Sequence, residues 1–437
     1  MQSKRKKVKI LETHRKLKYI YVGVDCHKAT HTASIVNAFK EPLGNITFNN
    51  DEKGFLSLTG FVSKYTSEGL TPIYGLEDCN HLGHSLAMHL LSKNCIVKVV
   101  NAVYTYNERK SSPIISKTDK IDSLCIAKVT LDRLDTLPNA SNDEIYWTLK
   151  QLCKMRETII DCNIDYKNKL HAQLLHHYPN YKKFFYDTDA KTSLAFWETF
   201  PNPIILKNTP FEKVSELITK ESNGYLKASK AKQILELIND YEYNLIDYQK
   251  ERDFLIKMLV KQIKYNNTQI DINNKQIEKI IEKLGYKLHT FIGIDKVSSA
   301  RIISQIGNIN RFSSSDKLAK YAGIAPVCFS SGEKDKKVNN KYGNRLLNSY
   351  IYMLACIHIN QGNARSNPRN AIFLNYYLKK LSEGKTKHQA ILLVMRRLIN
   401  IIYGMMKNKT EYVHPKELGY KCLEEYRENQ KDKSVDK

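Results

Sequence analysis

Short apolar runs alternate with segments of helical periodicity between Tyr19 and about Val129. Apolar runs bounded by turn residues are typical of buried strands, and apolar residues spaced three and four apart are typical of amphipathic helices. The pattern predicts strands at YIYVGVD, HTASIVNA, NITFNN, PIYGLE and CIVKVV, and helices at DEKGFLSLTGFVSKY, GHSLAMHLLSK and SKTDKIDSLCIAKV. Three strands, a helix and then alternating strands and helices indicate an α/β domain with a mixed sheet.

The periodicity becomes heptad-like from about residue 141. One apolar track runs through Ile145, Leu149, Leu152, Ile159, Tyr166 and Leu170, with Arg156 and Asn163 at two of its positions. A second track runs through Ile238, Tyr241, Leu245, Tyr248, Leu255 and Leu259. Such tracks predict the seams of long paired helices in a coiled coil. Prolines and aromatic residues between the tracks predict an irregular or short-helical insertion.

These changes of pattern divide the chain into five segments. We predict a basic tail at 1–18, an α/β domain at 19–135, a helical coiled-coil region with an insertion at 140–283, a mostly helical C-terminal domain at 284–415 and a charged tail at 416–437. The predicted fold class is therefore α/β plus all-α.

Charge indicates the class of partner. The chain has 69 Lys and Arg residues against 45 Asp and Glu residues, a net charge of +24, with 27 tyrosines interspersed. Cations that neutralise phosphates release counterions, so nucleic acid is the natural partner. The plainer interpretation is a basic soluble protein from an AT-rich genome, in which Lys, Asn, Ile and Tyr are common.

Other bulk features narrow the setting. The nine cysteines form no CxxC pair, which indicates reduced thiols in a cytoplasmic protein. No run of 18 apolar residues is present, so we expect no membrane-spanning helix. The basic N-terminus is not followed by a long apolar stretch and does not predict a secretory signal.

Four carboxylates occupy positions at which they can converge. Asp25 and Glu77 end two predicted strands, and Asp119 and Asp122 are three residues apart on one helix face. Clustered carboxylates repel one another unless a cation compensates them, and Mg²⁺ prefers such oxygen ligands. Paired ions of this kind promote phosphoryl transfer. The plainer interpretation is that each aspartate is a turn or cap residue.

The segments YVGVDCHKATHTASIV, YGLEDCNHLGHSLAMHL and SKTDKIDSLCIAKV resemble the RuvC-like, RNase H-like DEDD domain of the insertion-sequence transposase family numbered one-ten, also known as bridge-RNA-guided recombinases. The resemblance implies that Asp25, Glu77, Asp119 and Asp122 are catalytic ligands of Mg²⁺, for which Mn²⁺ can substitute. Lys28 and Lys117, beside these motifs, are expected to contact nucleic acid. The sequence EDCNHLG departs from the family pattern after the glutamate.

The stretch CFSSGEKDKK, between YAGIAP and YGNRLL, is similar to the C-terminal domain of the same family. The resemblance implies that Ser331 is the nucleophile of a reactive loop, with Ser330 as the fallback. Positive charge around a phosphodiester is expected from five residues: Lys334, Lys336, Lys337, Lys341 and Arg345.

The resemblance implies a transposase that cuts and rejoins DNA through a serine–phosphate intermediate. Its expected partners are an element-encoded guide (bridge) RNA, donor and target DNA, and further copies of itself in a dimer or tetramer, with no membrane. The expected location is the bacterial cytoplasm, at the nucleoid. Three alternatives stay open: a site-specific DNA invertase of the same family, a RuvC-like Mg²⁺ nuclease such as a junction resolvase with no serine step, and a non-enzymatic nucleic-acid-binding protein.

Overall fold

The chain folds into two compact units. In a computed structural model, the structure describes residues 15–66, 69–77, 81–111, 117–140, 144–239, 247–325, 327–331, 334–338, 343–360 and 370–413, with the backbone alone at 327–331 and 334–338. The first unit comprises Met1–Trp147 and Asn308–Asn344, and the second comprises Thr148–Gly307 and Arg345–Lys437.

A five-stranded mixed sheet forms the centre of the first unit. Its strands are β1 (Tyr19–Cys26), β2 (Thr30–Val36), β3 (Pro42–Asn49), β4 (Thr71–Leu76) and β5 (Ile96–Val99). The strand order is β3-β2-β1-β4-β5. The pairs β1–β2 and β2–β3 are antiparallel, whereas β4 lies parallel to both β1 and β5. The predicted mixed α/β sheet is thus confirmed.

The α-helices within the described ranges are, in chain order, α1 (Glu52–Ser63), α2 (His84–Ser92), α3 (Ala102–Lys110), α4 (Asp119–Asp132), α5 (Glu144–His177), α6 (Lys191–Thr199), α7 (Pro203–Lys207), α8 (Phe211–Glu221), α9 (Ala228–Asn239), α10 (Gln249–Leu284), α11 (Lys296–Ile306), α12 (Ser315–Tyr321), α13 (Arg345–Ile359), α14 (Ala371–Ser382) and α15 (Lys387–Asn408). The sequence pattern predicted α1, α2 and α4 in the first unit, and it missed α3.

Helix α4 lies directly on β1 because Gly23 has no side chain. A Cβ at this position would lie 2.1 Å from the backbone nitrogen of Ala127 and 2.3 Å from the backbone oxygen of Ser123. Backbone atoms of a buried helix cannot move aside without shifting the helix. The glycine therefore fixes how closely α4, and the aspartates at its start, approach the sheet.

Replacing Gly23 by Ala is expected to lower the free energy of unfolding by about 1–3 kcal/mol or more, the range for overpacked cores. Gly60 provides the matched control, because it is exposed within α1 and a Cβ there would meet nothing within 4 Å. Gly60→Ala should raise stability by about 0.5–1 kcal/mol through helix propensity. Urea unfolding measures both changes, and equal stability of Gly23→Ala and wild type would refute the close approach.

Two long antiparallel helices, α5 and α10, organise the second unit. The Arg156 Nε donates to Asn274 Oδ1 at 2.7 Å, and the Asn163 Nδ2 donates to Asn267 Oδ1 at 2.8 Å. The partners advance by seven residues along α5 and retreat by seven along α10, which fixes the antiparallel direction. Leu170, on the first predicted apolar track, is buried. The description of this pair as a coiled coil stays a prediction.

The second predicted track is wrong as a continuous helix. Ile238 belongs to α9, Tyr241 and Leu245 lie outside the described residues, and Tyr248 precedes α10 with a left-handed φ of 62° and a 78% exposed side chain. A left-handed residue interrupts a right-handed helix, so the heptad count does not carry across it. Of the residues on this track within α10, Leu259 alone is buried.

Short helices α6 to α9 form the predicted insertion. An aromatic core holds them against α5 and α10, and its largest buried members are Tyr178, Phe184, Phe196 and Trp197. The Tyr178 hydroxyl donates to the backbone oxygen of Phe200 at 2.8 Å, so this buried polar atom is satisfied.

Helix α15 is, in the described part of the chain, long and apolar enough to cross a membrane by length and composition alone. Its buried face includes Val394, Leu398 and Ile402, and the helix packs against α13 and α14. The guanidinium of Arg397 lies 3.7 Å from the ring centroid of Tyr376 on α14. These contacts pack one face of the helix against its neighbours in the second unit.

Candidate metal centre and serine hairpin

Two of the carboxylates emerge from neighbouring strands. Strands β1 and β4 are parallel, and Val24 pairs with Leu76. The next residues, Asp25 and Glu77, therefore leave the same edge of the sheet side by side, because carboxyl ends of adjacent parallel strands meet at one edge.

The other two carboxylates begin α4. The Thr118 hydroxyl accepts the Ile121 backbone N–H at 3.2 Å and caps the helix, so Asp119 starts the first turn and Asp122 follows one turn later. Close packing of α4 on β1 brings this turn to the sheet edge. All four carboxylates line one cleft of about 360 Å³, which Lys117 also lines.

A candidate cation site lies at the mouth of this cleft. The His27 Nε2 is 3.2 Å from Asp25 Oδ2 and 3.5 Å from Asp119 Oδ1. One ligand atom from each of these three residues lies within 4.8 Å of the others. Two carboxylates and an imidazole are a donor set that suits a divalent cation, and the oxygen donors suit Mg²⁺ or Mn²⁺. The residues present therefore fit a divalent metal ion.

Asp122 has a different partner in this structure. The Arg109 guanidinium on α3 donates a hydrogen bond to Asp122 Oδ1 and forms an ion pair with it. Only 18% of the Arg109 side chain and 12% of the Asp122 side chain are exposed. The expected four-carboxylate set is therefore divided here, with Asp25 and Asp119 around His27, and Asp122 held by Arg109.

The electrostatics of the cleft favour added positive charge. Burial raises the pKa of Asp25, and the carboxylates of Asp122 and Asp119 raise it further, while His27 opposes them. Burial likewise raises the pKa of Glu77, with contributions from Asp25 and Asp122, which Arg109 opposes. A bound cation stabilises the ionised form of every carboxylate around it.

Sequence analysis missed two contributors to this site. Arg109 lies on the unpredicted helix α3, and His27 was quoted in a motif but was given no role. Start and stop signals for α3 are present, because the Asn101 side chain accepts the Val103 backbone N–H and Arg109 and Lys110 occupy the last turn. The capping asparagine and the basic last turn are the sequence signals from which α3 could have been predicted.

The predicted nucleic-acid-binding cations occupy different places. Lys28 is exposed just after β1, Lys117 is exposed in the cleft, and Arg345 is exposed at the start of α13 in the second unit. Lys334, Lys336 and Lys337 lie on a strand of which only the backbone is described, and Lys341 lies outside the described residues. Their contacts with nucleic acid stay predictions.

Ser331 ends a β-strand in place of the reactive loop that the sequence suggested. Strand β6 (Val327–Ser331) pairs antiparallel with β7 (Lys334–Val338), with Ser331 opposite Lys334 and Ser330 opposite Asp335. This serine hairpin belongs to the same compact unit as the sheet and its cleft.

Two motif glycines hold the base of the serine hairpin to α12. A Cβ on Gly343, from the motif YGNRLL, would lie 2.3 Å from the Cα of Gly323, from the motif YAGIAP. The Asn344 backbone N–H donates to the Tyr321 oxygen at 2.7 Å, and the Asn344 Nδ2 donates to the Tyr321 hydroxyl at 3.1 Å. The two flanking motifs are therefore in contact with each other, and they bring together the two ends of the segment that carries Ser331.

Two family models match the chain, and together they cover more than half of it. Residues 22–179 match a transposase model of the IS110 DEDD type, and residues 285–369 match the model of the IS116/IS110/IS902 transposase family. The chain belongs to the IS110/IS116 family of transposases. The first match contains the four carboxylates of the cleft, and the second contains the serine hairpin.

Relatives of this transposase align along nearly its whole length. The 44.8 kDa protein of insertion element IS116 from Streptomyces clavuligerus is 25% identical over 399 residues, 89% of this chain and 95% of the relative. The 42 kDa protein of insertion element IS900 from Mycobacterium paratuberculosis is 24% identical, and the alignment covers 91% of this chain and 97% of the relative. The pilin gene-inverting protein of Moraxella lacunata is 22% identical, and the alignment covers 90% of this chain and 97% of the relative.

Proposed function

We propose that this IS110/IS116-family transposase is an RNA-guided DNA recombinase that cuts and rejoins strands through a covalent bond to Ser331. The observation that carries the proposal is the convergence of four carboxylates in one cleft, within the compact unit that also contains the serine hairpin. Phosphoryl transfer requires positioned groups and compensation of phosphate charge, and both are available here.

Asp25, Glu77, Asp119 and Asp122 are proposed to hold Mg²⁺, with His27 beside Asp25 and Asp119. A bound Mg²⁺ supplies Lewis-acid stabilisation of phosphate and leaving-oxygen charge. Lys117 in the same cleft adds a protein cation to which a phosphate can bind. Lys28 is proposed to extend this contact along the nucleic acid.

In the proposed covalent step, the Ser331 hydroxyl loses its proton and attacks a DNA phosphorus. A bond forms between the serine oxygen and phosphorus, the phosphorus–oxygen bond to one sugar breaks, and the departing sugar oxygen takes up a proton. Rejoining reverses these changes with the hydroxyl of a new strand. The energy of the broken phosphodiester is conserved in the serine ester, so no ATP is needed.

The proposed partners follow from the same assignment. An element-encoded RNA would pair with donor and target DNA, and the net charge of +24 suits a protein that binds several phosphate backbones. A dimer or tetramer would bring several such sites onto the paired DNA. A protein that acts on DNA in this way is expected in the bacterial cytoplasm, at the nucleoid.

A DNA invertase is the second candidate, and one observation favours it. Two of the relatives, from Moraxella lacunata and Moraxella bovis, are pilin gene-inverting proteins, each 22% identical to this chain. Inversion and transposition use the same strand exchange and differ in the arrangement of the two DNA sites. A Mg²⁺ nuclease without the serine step is the third candidate.

A recombination assay with purified protein separates these candidates. The protein is incubated with Mg²⁺, donor and target DNA, and RNA transcribed from the non-coding flank of its gene. Joined DNA is expected only with the RNA, and base changes in an RNA loop should redirect joining to DNA with the compensating changes. Joining without RNA contradicts guidance, cleavage without joining supports the nuclease, and inversion of two sites on one plasmid without intermolecular joining supports the invertase.

A further inference from the structure

Protein side chains already contact three of the four carboxylates of the cleft. His27 contacts Asp25 and Asp119, and Arg109 holds Asp122. The ion pair of Arg109 and Asp122 is mostly covered, with 18% and 12% of the two side chains exposed. A buried carboxylate without a partner is strongly destabilising, so the ion pair with Arg109 stabilises the ionised Asp122.

Arg109 is suited to keep this charge. An arginine guanidinium stays protonated in proteins, and this one donates a hydrogen bond to Asp122. Arg109 is bonded to Asp122 Oδ1, so a divalent cation that uses Asp122 as a ligand through Oδ2 would lie beside the guanidinium on the same carboxylate. Two cations on one carboxylate repel each other at close range, so each weakens the binding of the other.

An aromatic ring lies beside the guanidinium in the same cleft. Arg109, Tyr106 and Lys117 all line it, and the Arg109 Cζ lies 5.8 Å from the Tyr106 ring centroid, within the range of a cation–π contact. A released guanidinium can therefore stay beside the aromatic ring. Its planar fork matches a phosphate group, which it binds through two parallel hydrogen bonds.

We propose that Arg109 is an exchangeable counter-cation: it pairs with Asp122 until a divalent ion binds that carboxylate, yields the carboxylate to the ion, and then binds the DNA phosphate. This inference rests on the proposed metal site and adds an order of events to it. The arginine reaches the phosphate only after the metal is in place.

The test is Mn²⁺ binding to the full-length protein without nucleic acid, measured by calorimetry. Arg109→Gln removes the competitor and should tighten Mn²⁺ binding by about tenfold or more, the scale of one hydrogen bond between charged groups. Arg109→Lys keeps the charge but loses the fork, so it should tighten binding less. If Arg109→Gln does not fold, Arg109→Lys carries the test alone, and unchanged or weaker Mn²⁺ binding by it would overturn the inference.

Two further variants separate exchange from a general charge effect. In an Asp122→Asn background, Arg109→Gln should change Mn²⁺ affinity little, because the contested carboxylate charge is gone. Arg133→Gln is the matched control. The Arg133 guanidinium lies 4.1 Å from the ring of Tyr104, which belongs to the same helix α3 as Arg109, but Arg133 does not line the cleft. Its Mn²⁺ affinity should equal that of wild type.

The outcomes distinguish this inference from the function on which it rests. Tighter Mn²⁺ binding together with slower DNA cleavage by Arg109→Gln supports exchange. If Arg109 has only a structural role, Arg109→Gln should bind Mn²⁺ more weakly and also cleave DNA more slowly. Wild type that binds Mn²⁺ no more weakly than Arg109→Gln overturns the exchange and leaves the metal site intact. If neither wild type nor Asp25→Asn binds Mn²⁺, the metal site is refuted and this inference is refuted with it.

Discussion

Replacing Asp119 by Asn is expected to abolish DNA strand cleavage while RNA binding stays at the wild-type level. The Asp119 carboxylate faces His27 in the candidate cation site, and an amide has no charge with which to hold Mg²⁺. The fold should be unaffected, because the Asp119 side chain is 64% exposed and Thr118 caps the helix. Gel-based cleavage with Mg²⁺ and an RNA mobility shift measure the two properties.

Asp132 supplies the matched control at the other end of the same helix. It forms an ion pair with Lys40 at 2.7 Å and does not line the cleft. Asp132→Asn should leave cleavage unchanged, since a surface ion pair contributes about 1 kcal/mol or less. Full cleavage by Asp119→Asn would remove this residue from the metal site, and equal losses in both variants would indicate a damaged helix.

The sequence predicted the sheet and the placement of the carboxylates well, for a physical reason. Buried strands need apolar runs, and their order along the chain restricts how they can be connected. Once β1 and β4 are recognised as neighbours, Asp25 and Glu77 must leave the same edge. The helix face shared by Asp119 and Asp122 follows from their spacing alone.

The unpredicted parts depend on tertiary contacts. Helix α3 has one buried residue, Thr105, so its apolar periodicity is weak. Without α3 the sequence could not place Arg109 against Asp122, and a four-carboxylate set was the simplest expectation. The serine hairpin gives a similar lesson, because β7 reads KDKKV, a lysine-rich sequence that favours a loop over a strand.

Long-range register is the third limit. Leu170 on the first heptad track is buried on α5. The second track was counted through Tyr248, whose left-handed backbone interrupts the helix, so the heptad count does not continue across it. Nothing in the residue type of a tyrosine signals such a conformation. The antiparallel alignment of α5 and α10 follows from the hydrogen bonds of Arg156 and Asn163, which join residues far apart in the sequence.

Ser331 is expected to become covalently joined to one cut DNA end. A reaction stalled on a nicked substrate, denatured and digested with protease, should yield a peptide containing Ser331 linked to DNA by mass spectrometry. Ser331→Ala should lose this adduct completely, because alanine has no nucleophilic oxygen, and it should still bind DNA and RNA. Asp119→Asn should also give no adduct if the metal site assists the same step.

Ser330→Ala is the matched control, because Ser330 is the neighbouring hydroxyl residue on β6. Ser330→Ala should keep the adduct if Ser331 alone is the nucleophile. An adduct that survives in Ser331→Ala and vanishes in Ser330→Ala would assign the chemistry to Ser330. Cleavage by wild type with no adduct in any sample would refute the serine step and leave the carboxylate cleft as a plain nuclease site.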